Sequence, residues 1–467
     1  MADTPRSGQK LLLRRHVTMI AIGGVIGATL FVGTGTTVLS TGPAVIVSYA
    51  IGGLYLVLCM RMLGEMAARK PARGSFSTYA KDAFGPWAGF LVGWLYWLVF
   101  VILIAYEASL LGFFARQWLP GVPIWAAALV LLGAMTATNL FSIRLYGNAE
   151  YWIALVKVLA IIAFLVVGVL LVTGVLPAAT GNPGLGNLFR HGGFAPLGWT
   201  AVLSSVVFVV FSMGGTEIAA IAASESDDPQ RNVLRAIRSV LLRVLLFYVG
   251  SVAIIAAVIP WDDQTRLASP YASVFGVAGL GGAERVMSVV IFLSVLSVMN
   301  SAIYTSSRML TALADRGEAP AFVTKENRFG TPVVAVLVCA ATGAGFTMIN
   351  LSSLESLFTF LATCTGGVLL IVYGFIAAAQ VRLRKRHGDD GLAARMWLFP
   401  WLSYLFIAAS VVLYAAQAFL PGLRLQFFCT SGLTLVALAA YGVKRVANRS
   451  RVPEPVPAAE STARRSS

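Results

Sequence analysis

Three charged side chains stand inside long apolar runs of this sequence: Glu107, Lys157 and Glu217. At the centre of a bilayer, such a charge costs about 2.5–3.5 kcal/mol on insertion scales, so it rarely persists without a use. A carboxylate can bind an ammonium or accept hydrogen bonds from free backbone amides. A buried lysine can release its proton, because burial disfavours the charged form. These residue types therefore point to ion or proton handling inside a membrane.

Each of the three charges also has a structural interpretation. Lys157 would lie about 9 Å along a helix from Tyr151, so its long side chain could snorkel to the membrane interface. Proton coupling would require a buried ammonium instead. Glu217 could accept hydrogen bonds from the freed amides of a broken helix, in a structural or a functional role. We expect Glu107 to face a cavity or the bundle interior, and a structural role and substrate contact both stay open.

Two apolar runs contain paired glycines at which a helix could break, Gly23-Gly24 and Gly214-Gly215. Glycine costs about 0.8–1.0 kcal/mol relative to alanine in a helix, although Gly23 and Gly27 could also form a GxxxG packing motif. Corresponding breaks in two halves are typical of transporters built from inverted repeats, with the site at the breaks. Half-helix N-termini there suit a carboxylate, and unwound carbonyls suit an ammonium. A zwitterion fits such a site.

Polar residues recur in the eighth and tenth apolar runs. Asn300 and Tyr304 lie in the stretch from Ser297 to Arg308, and hydroxyls lie between Thr359 and Thr365. Such side chains usually hold helices together, at about 0.6 kcal/mol per contact. Some could line a substrate path, and the pattern does not separate these uses.

The composition indicates a chain that crosses a membrane many times. Of the 467 residues, 58% are hydrophobic and 12% charged, about half the usual charged fraction of a soluble domain. A hydrocarbon core of about 30 Å needs about 20 apolar helical residues for each crossing. We predict membrane spans near residues 17–37, 43–62, 88–115, 122–141, 151–173, 199–223, 239–260, 284–308, 332–350, 356–379, 399–419 and 424–443.

Basic residues set the predicted orientation. Thirty of the 35 Lys and Arg residues, Lys157 among them, fall on one side of this arrangement. The others are Arg116, Arg190, Arg266, Arg285 and Arg424. Because cytoplasmic loops retain positive charge, we expect both termini in the cytoplasm and a multi-pass protein of the cytoplasmic (inner) membrane. This bias and contact with anionic lipid account for the net charge of +15, so no nucleic-acid partner is expected.

Other function classes find less support in the sequence. The four cysteines lie in apolar runs without a CxxC pair, and the three histidines lie in loops or at span ends. We therefore expect no metal ion and no cofactor. Nothing resembles the catalytic constellation of a membrane enzyme or the selectivity filter of a channel. We predict that the protein is not an enzyme, with a transporter-like sensor as a distant alternative.

The predicted fold is an all-α membrane protein of about twelve transmembrane helices. Spans one to five and six to ten form a five-plus-five inverted repeat, in which the first and sixth helices are broken. The predicted parts are a cytoplasmic segment (1–16), one transmembrane domain (17–443) with repeats at about 17–173 and 199–379 and extra helices at about 399–443, and a disordered cytoplasmic tail (444–467).

Several longer motifs are shared with a known family. They are Arg15–Gly33 (RHVTMIAIGGVIGATLFVG), Gly42–Gly53 (GPAVIVSYAIGG), Met60–Ala67 (MRMLGEMA), Gly74–Ala80 (GSFSTYA), Gly93–Trp97 (GWLYW), Ala222–Pro229 (AASESDDP), Asn300–Leu310 (NSAIYTSSRML) and Met396–Leu402 (MWLFPWL). From about Arg14 to Tyr441 the sequence resembles the amino-acid permeases of the amino acid–polyamine–organocation superfamily, and most of all its bacterial GABA permease branch. The resemblance implies a LeuT-like fold.

The resemblance also implies a site. The family binds the amino and carboxyl groups of its substrate at the glycine-rich breaks. The lysine that matches Lys157 takes the place of an ion in sodium-coupled relatives, which implies proton coupling. Glu217 and Tyr304 are expected to support the helix breaks. The expected substrate-binding residues are Ile22, Gly23, Gly24, Ile26, Gly27, Glu107, Phe211, Ser212, Gly214, Gly215 and Asn300.

The expected function is import of an amino acid by proton symport, with GABA or a related ω- or α-amino acid favoured. Departures from the GABA branch at Ala105-Tyr106, Ser109 and Ala362–Thr365 keep other substrates open. They include histidine, proline, asparagine, lysine and aromatic amino acids, and exchange is also an alternative. The expected partners are the amino-acid substrate, protons and the lipid bilayer, while the sequence leaves the oligomeric state open.

Overall fold

The computed structural model describes residues 26–70, 75–141, 143–215, 217, 244–349, 354–389, 395–420 and 422–449. Every regular element among these residues is a helix, which confirms the all-α prediction. The predicted segment 1–16 lies outside the described residues, and so do residues 450–467 of the predicted tail 444–467, whose first residues continue the last helix to Arg449.

The helices used below are numbered in chain order. They are α1 (Ala28–Phe31), α2 (Gly33–Thr41), α3 (Val45–Arg69), α4 (Ser75–Phe84), α5 (Pro86–Trp118), α6 (Ile124–Leu140), α7 (Ile143–Val172), α8 (Gly198–Ser212), α9 (Ser251–Val258), α10 (Pro270–Val277), α11 (Gly281–Asp315), α12 (Val333–Ile349), α13 (Leu354–His387), α14 (Trp401–Ala416) and α15 (Arg424–Arg449). Shorter elements are Asn187–Arg190, the π-helical turn Val244–Gly250, Gln264–Leu267 and the 3-10 turn Ala321–Thr324.

Six described helices are long and apolar enough to cross a membrane. They are Val45–Arg69, Pro86–Trp118, Glu150–Val172, Gly281–Asp315, Thr363–His387 and Arg424–Val446. Shorter apolar helices lie between them in the chain, at Ile124–Leu140, Gly198–Ser212, Leu246–Val258, Val333–Met348 and Trp401–Ala416. Each of these elements overlaps one predicted span, from the second to the twelfth.

Several helices run past the predicted spans. The α11 helix has 35 residues and α13 has 34, whereas the apolar runs predict 284–308 and 356–379. Arginine and lysine are good helix formers and continue α13 past its apolar run, while methionine, leucine and alanine continue α11 after Arg308. At 1.5 Å per residue, α11 is about 52 Å long and extends well beyond a hydrocarbon core of about 30 Å.

The α7 helix has one face outside the bundle and one inside. Val156, Leu159, Ile162 and Val166 recur every three or four residues and are 41–56% exposed. Lys157, on the opposite face, is fully buried. An apolar stripe of this length is unfavourable in water and favourable against lipid tails, so α7 has a lipid-facing side and an interior side.

The centre of the fold is α5. It packs against α4, α6, α11, α12, α13 and α15. Its side chains Tyr96, Phe100 and Ile104 are at most 1% exposed, and Glu107 one turn further on is fully buried. The helix therefore carries one of the predicted charges into the interior.

A polar network joins the C-terminal ends of α3 and α13 to the segment that precedes α14. Glu65 Oε1 accepts a hydrogen bond from Gln380 Nε2 at 2.7 Å, and Oε2 accepts from Arg384 Nη1 at 3.2 Å and the Met396 N–H at 2.6 Å. Arg384 Nε also donates to Asp389 Oδ1 at 2.8 Å. Glu65 and Arg384 are 2% and 8% exposed, so this network is an interior feature.

Candidate functional site

The α8 helix ends where the sequence predicts a break. Ser212 is its last residue, and Met213–Gly215 form a turn in which Gly215 has φ +95°. A Cβ on Gly214 would lie 2.9 Å from Leu369 Cδ1 and 3.0 Å from the Phe211 carbonyl oxygen. Gly215 is needed for its backbone conformation, because only glycine adopts such a φ without strain. Gly214 is needed because its neighbours leave too little room for a side chain.

Glu217 turns back onto this helix end. The Gly215 N–H donates to Glu217 Oε2 at 3.0 Å, and the hydroxyl of Tyr373 on α13 donates to the same oxygen at 3.1 Å. Glu217 and Tyr373 are fully buried. The carboxylate therefore accepts a hydrogen bond from a backbone N–H of the turn that follows the helix, so this buried donor has a partner.

The described part of the first apolar run begins beside α5 and α11. Gly27 precedes α1, and its carbonyl accepts from the Leu30 and Phe31 N–H groups at 3.1 and 3.2 Å. A Cβ on Gly27 would lie 2.6 Å from Val298 Cγ2 on α11 and 3.2 Å from Glu107 Oε1 on α5. The Glu107 carboxylate thus lies next to the backbone at Gly27.

Of the other substrate-binding residues predicted in this run, the structure describes only one. Ile26 is 1% exposed and lies in the apolar core. Ile22, Gly23 and Gly24, with the predicted first breakpoint, lie outside the described residues.

Reciprocal hydrogen bonds join the two interrupted runs. Thr29 Oγ1 donates to the Ser212 carbonyl at 3.2 Å, and Ser212 Oγ donates to the Thr29 carbonyl at 3.4 Å. Tyr248 adds a third donor, since its hydroxyl lies 3.1 Å from the Ser212 carbonyl oxygen. The two regions, 183 residues apart in sequence, are therefore in direct contact.

Aromatic rings cover the same region. Phe211 packs edge-on against Tyr106 of α5, with ring centroids 5.6 Å apart, and also contacts Phe208. A Cβ on Gly33 of α2 would lie 2.8 Å from Phe208 Cζ. The aromatic rings of Tyr106, Phe208 and Phe211, together with a glycine at position 33, thus set the spacing between α2, α5 and α8.

Lys157 lies deep in the bundle. Its side chain is fully buried, and Nζ donates to Ser297 Oγ of α11 at 2.8 Å. A snorkelling lysine would place its ammonium in water at the interface, which differs from this arrangement. Ser297 Oγ in turn donates to Glu150 Oε1, which places a carboxylate on the other side of the same hydroxyl.

Glu150 is a site residue that the sequence analysis missed. It is 1% exposed and accepts a hydrogen bond from Ser297 Oγ, with 2.5 Å between Oγ and Oε1. The predicted fifth span begins one residue later, at Tyr151, so Glu150 lies just outside it. A signal was present, because residues seven apart lie on the same face of an α-helix and Glu150 is seven residues before Lys157.

Asn300 and Tyr304 make their recorded contacts elsewhere. Asn300 Oδ1 accepts from Thr138 Oγ1 at 3.0 Å and from Asn139 Nδ2 at 2.5 Å, both at the end of α6. Tyr304 lines a small cavity with Asn139 and Arg308, and its ring centroid lies 5.4 Å from the Arg308 guanidinium carbon. No recorded contact within the described residues joins either side chain to Thr29 or Ser212.

The arrangement suits a polar ligand. Carbonyl oxygens, hydroxyls and a buried carboxylate converge around Thr29, Ser212 and Glu107, at the ends of interrupted apolar runs. No group of three His, Cys, Asp or Glu side chains placed to hold a metal occurs in the described part of the chain. These features, with the lipid-facing exterior, define a multi-pass membrane protein with a polar site between its helices.

Comparison with known proteins specifies the class. This chain belongs to the amino acid permease family, whose model matches residues 16–453. It is 43% identical to the gamma-aminobutyric acid permease of Bacillus subtilis (strain 168) over 453 residues, 96% of each chain. It is 43% identical over 429 residues to that of Escherichia coli (strain K12), 91% of each chain.

A second group of relatives is more distant. The aromatic amino acid transport protein AroP of Corynebacterium glutamicum is 38% identical over 400 residues, which are 84% of this chain and 86% of that protein. The family resemblance of the sequence motifs is confirmed, and so is its bias toward the GABA permease branch.

Proposed function

We propose that this protein is a secondary active transporter that imports an amino acid across the cytoplasmic membrane by proton symport. The observation that carries the proposal is the reciprocal contact between Thr29 and Ser212, because it joins the first apolar run to the end of α8, where a glycine turn follows. The buried Glu107 carboxylate lies beside Gly27 of the same first run. The proposed fold has twelve spans, an inverted repeat of residues 17–173 and 199–379, and both termini in the cytoplasm.

The favoured substrate is GABA or a related ω- or α-amino acid. Identity of 43% to two proteins named gamma-aminobutyric acid permease supports this choice over the more distant aromatic carriers. Backbone N–H groups from Gly23 to Gly27 hold the carboxylate, and carbonyls at the breaks, that of Ser212 among them, accept the ammonium. Glu107 lies near enough to Gly27 to meet an ammonium that is several carbons from the carboxylate.

The remaining proposed site residues frame these groups. Ile22, Ile26 and Phe211 flank the breaks, and Gly214 and Gly215 let the backbone turn. Asn300 of α11 stays in the proposed set, although its side chain binds Thr138 and Asn139 at the end of α6 in the structure. Glu217 supports the second break through the Gly215 amide, and Tyr304 supports the fold from α11.

Lys157 is the proposed coupling group. When protonated, it joins α7 to α11 through Ser297, much as a bound cation would. When it loses its proton, that hydrogen bond weakens, and the equilibrium shifts toward a state that releases substrate inside. Substrate and proton release are linked because both depend on this one equilibrium.

A competition panel tests the substrate. Purified protein in proteoliposomes takes up labelled GABA, and the twenty amino acids and short ω-amino acids compete at equal concentration. We expect ω-amino acids to compete best, and Glu107→Gln to weaken them more than α-amino acids. Glu284→Gln, the same change at a partly exposed site of α11, is the control. Equal losses for both classes would assign Glu107 a structural role.

A gradient experiment tests the coupling. Uptake should follow an imposed inward proton gradient and should not change when choline replaces sodium. Lys157→Gln should keep counterflow exchange but lose accumulation, whereas Lys325→Gln, at an exposed lysine, should behave as wild type. Accumulation by Lys157→Gln under a proton gradient would exclude Lys157 as the coupling group. Transport that needs substrate on both sides would indicate an exchanger.

A further inference from the structure

A chain of hydrogen bonds leaves α7, passes through α11 and returns to α7. Lys157 Nζ donates to Ser297 Oγ at 2.8 Å, and Ser297 Oγ donates to Glu150 Oε1 at 2.5 Å. The three side chains are at most 1% exposed. Both hydrogen bonds point the same way, from the ammonium toward the carboxylate.

We propose that Glu150 receives the proton that Lys157 releases and passes it toward the cytoplasm; this proposal rests on the proposed function. The ammonium gives one proton to Ser297 Oγ while the Ser297 hydroxyl gives its own proton to Glu150 Oε1. The products are a neutral amine, an unchanged serine and a neutral carboxylic acid. The net charge of the three groups stays the same, and no further reactant is needed.

The position of Glu150 gives the relay its direction. It is seven residues nearer the N-terminus of α7 than Lys157, which corresponds to about 10 Å along the axis. In the proposed topology that end of α7 faces the cytoplasm. Glu150 Oε2 has no hydrogen-bond partner within the described residues, so the second oxygen is available to an acceptor further along.

The surrounding charges favour transfer between this pair. Lys157 and Glu150 both bond to the Ser297 hydroxyl, so the ammonium and the carboxylate lie on either side of one hydroxyl. Glu107 lies beside the proposed substrate site and Glu150 lies away from it. A substrate ammonium at Glu107 would weaken one carboxylate's attraction for Lys157 and leave Glu150 as the remaining acceptor.

A fixed counter-ion is the alternative role for Glu150. A counter-ion acts by charge alone, so it does not need the hydroxyl of Ser297. A relay needs that hydroxyl, because the proton crosses from α7 to α11 and back through it. Wild-type net uptake in Ser297→Ala would therefore exclude the relay. Because Lys157 also contacts α11 through Ser297, loss of uptake in that variant supports the relay only together with the lumenal pH response of Glu150→Gln.

The experiment measures proton-driven uptake, counterflow exchange and lumenal pH with an internal pH dye, all in proteoliposomes. Glu150→Gln should lower proton-driven net uptake about 100-fold, within the usual range for loss of a proton-transfer group, and keep counterflow within about twofold. Exchange survives because Lys157 stays protonated throughout that cycle. Ser297→Ala should show the same separation, and Ser297→Thr should restore net uptake.

Ser294→Ala is the matched control, since Ser294 lies one turn away on α11 and donates to its own helix at the Val290 carbonyl. We also expect Glu150→Gln to remove the rise in net uptake that an alkaline lumen produces in wild type. Size-exclusion profiles in detergent identify variants that fail to fold.

Wild-type net uptake by Ser297→Ala would overturn the relay, as would equal loss of uptake and counterflow in a folded Glu150→Gln protein. These results can be told apart from results that would contradict the proposed transport function. If wild type is not driven by protons, or if Lys157→Gln stays coupled, the coupling proposal itself is wrong.

Discussion

Gly27→Ala tests whether the backbone of the first apolar run lies as close to its neighbours as the structure indicates. The added methyl group would lie 2.6 Å from Val298 Cγ2 and 3.2 Å from Glu107 Oε1. Carbon atoms in contact normally stand about 3.5–4.0 Å apart, so the nearest contact is about 1 Å too short. Overpacking of this kind typically costs about 1–3 kcal/mol.

The expected result is a loss of both stability and substrate affinity. A cost of about 1.4 kcal/mol on the substrate-bound state corresponds to a tenfold loss of affinity. Scintillation proximity binding of labelled GABA measures affinity, and thermal unfolding in detergent measures stability. Gly133→Ala on α6 is the matched control, because a Cβ there has no atom within 4 Å.

A double variant separates packing from the site. Val298→Ala removes the nearest clashing atom, so Gly27→Ala/Val298→Ala should recover much of the unfolding temperature. The new methyl group would still stand beside Glu107, so affinity should stay low. Full recovery of affinity in the double variant would mean that Gly27 serves helix packing alone. Normal affinity and stability in the single variant would refute the close approach itself.

Three further changes test other contacts. Tyr373→Phe removes a donor to Glu217 and should destabilise the protein by about 1–3 kcal/mol, as thermal unfolding would reveal; no change would mean that the helix end does not need this bond. Glu65→Gln removes one of the two carboxylates that accept hydrogen bonds from Arg384 and leaves Asp389 in place, so it should destabilise the protein by about 1.5–3 kcal/mol in thermal unfolding. No change in unfolding temperature would mean that the Glu65 charge does not stabilise this network. The hydrogen bond from Arg384 holds the pKa of Asp389 below its usual range, so its contribution is complete above about pH 4 and lost as pH falls through the lower folded value. The stability difference between wild type and Asp389→Asn should therefore disappear in acid, and a difference that grows in acid would contradict this.

The sequence predicted the positions of the helices better than the contacts between their side chains. Apolar runs gave the positions of the helices because a lipid-facing helix must be apolar over its whole crossing. The turn at Gly214-Gly215 also lies where a glycine pair predicts it. The helix ends were less predictable, since hydropathy marks where an apolar run stops and charged residues extend a helix past that point.

Side-chain partners depend on which helix faces which. Lys157 and Ser297 are 140 residues apart, and nothing in either local pattern names the other. Asn300 is a similar case, because α11 is buried on nearly every side between Ser294 and Ser307. A helix buried all round loses the amphipathic signal that would assign its faces. Only the fold places Asn300 against Asn139.

The joint between Thr29 and Ser212 has a consequence for how this protein tolerates sequence change. Each hydrogen bond uses one hydroxyl and the other residue's backbone carbonyl, so neither hydroxyl depends on the other. A substitution that removes one hydroxyl leaves the second bond and both carbonyls in place. Either residue can therefore be replaced by a single mutation while the two runs stay joined. Only loss of both hydroxyls, or movement of the backbone, removes both hydrogen bonds.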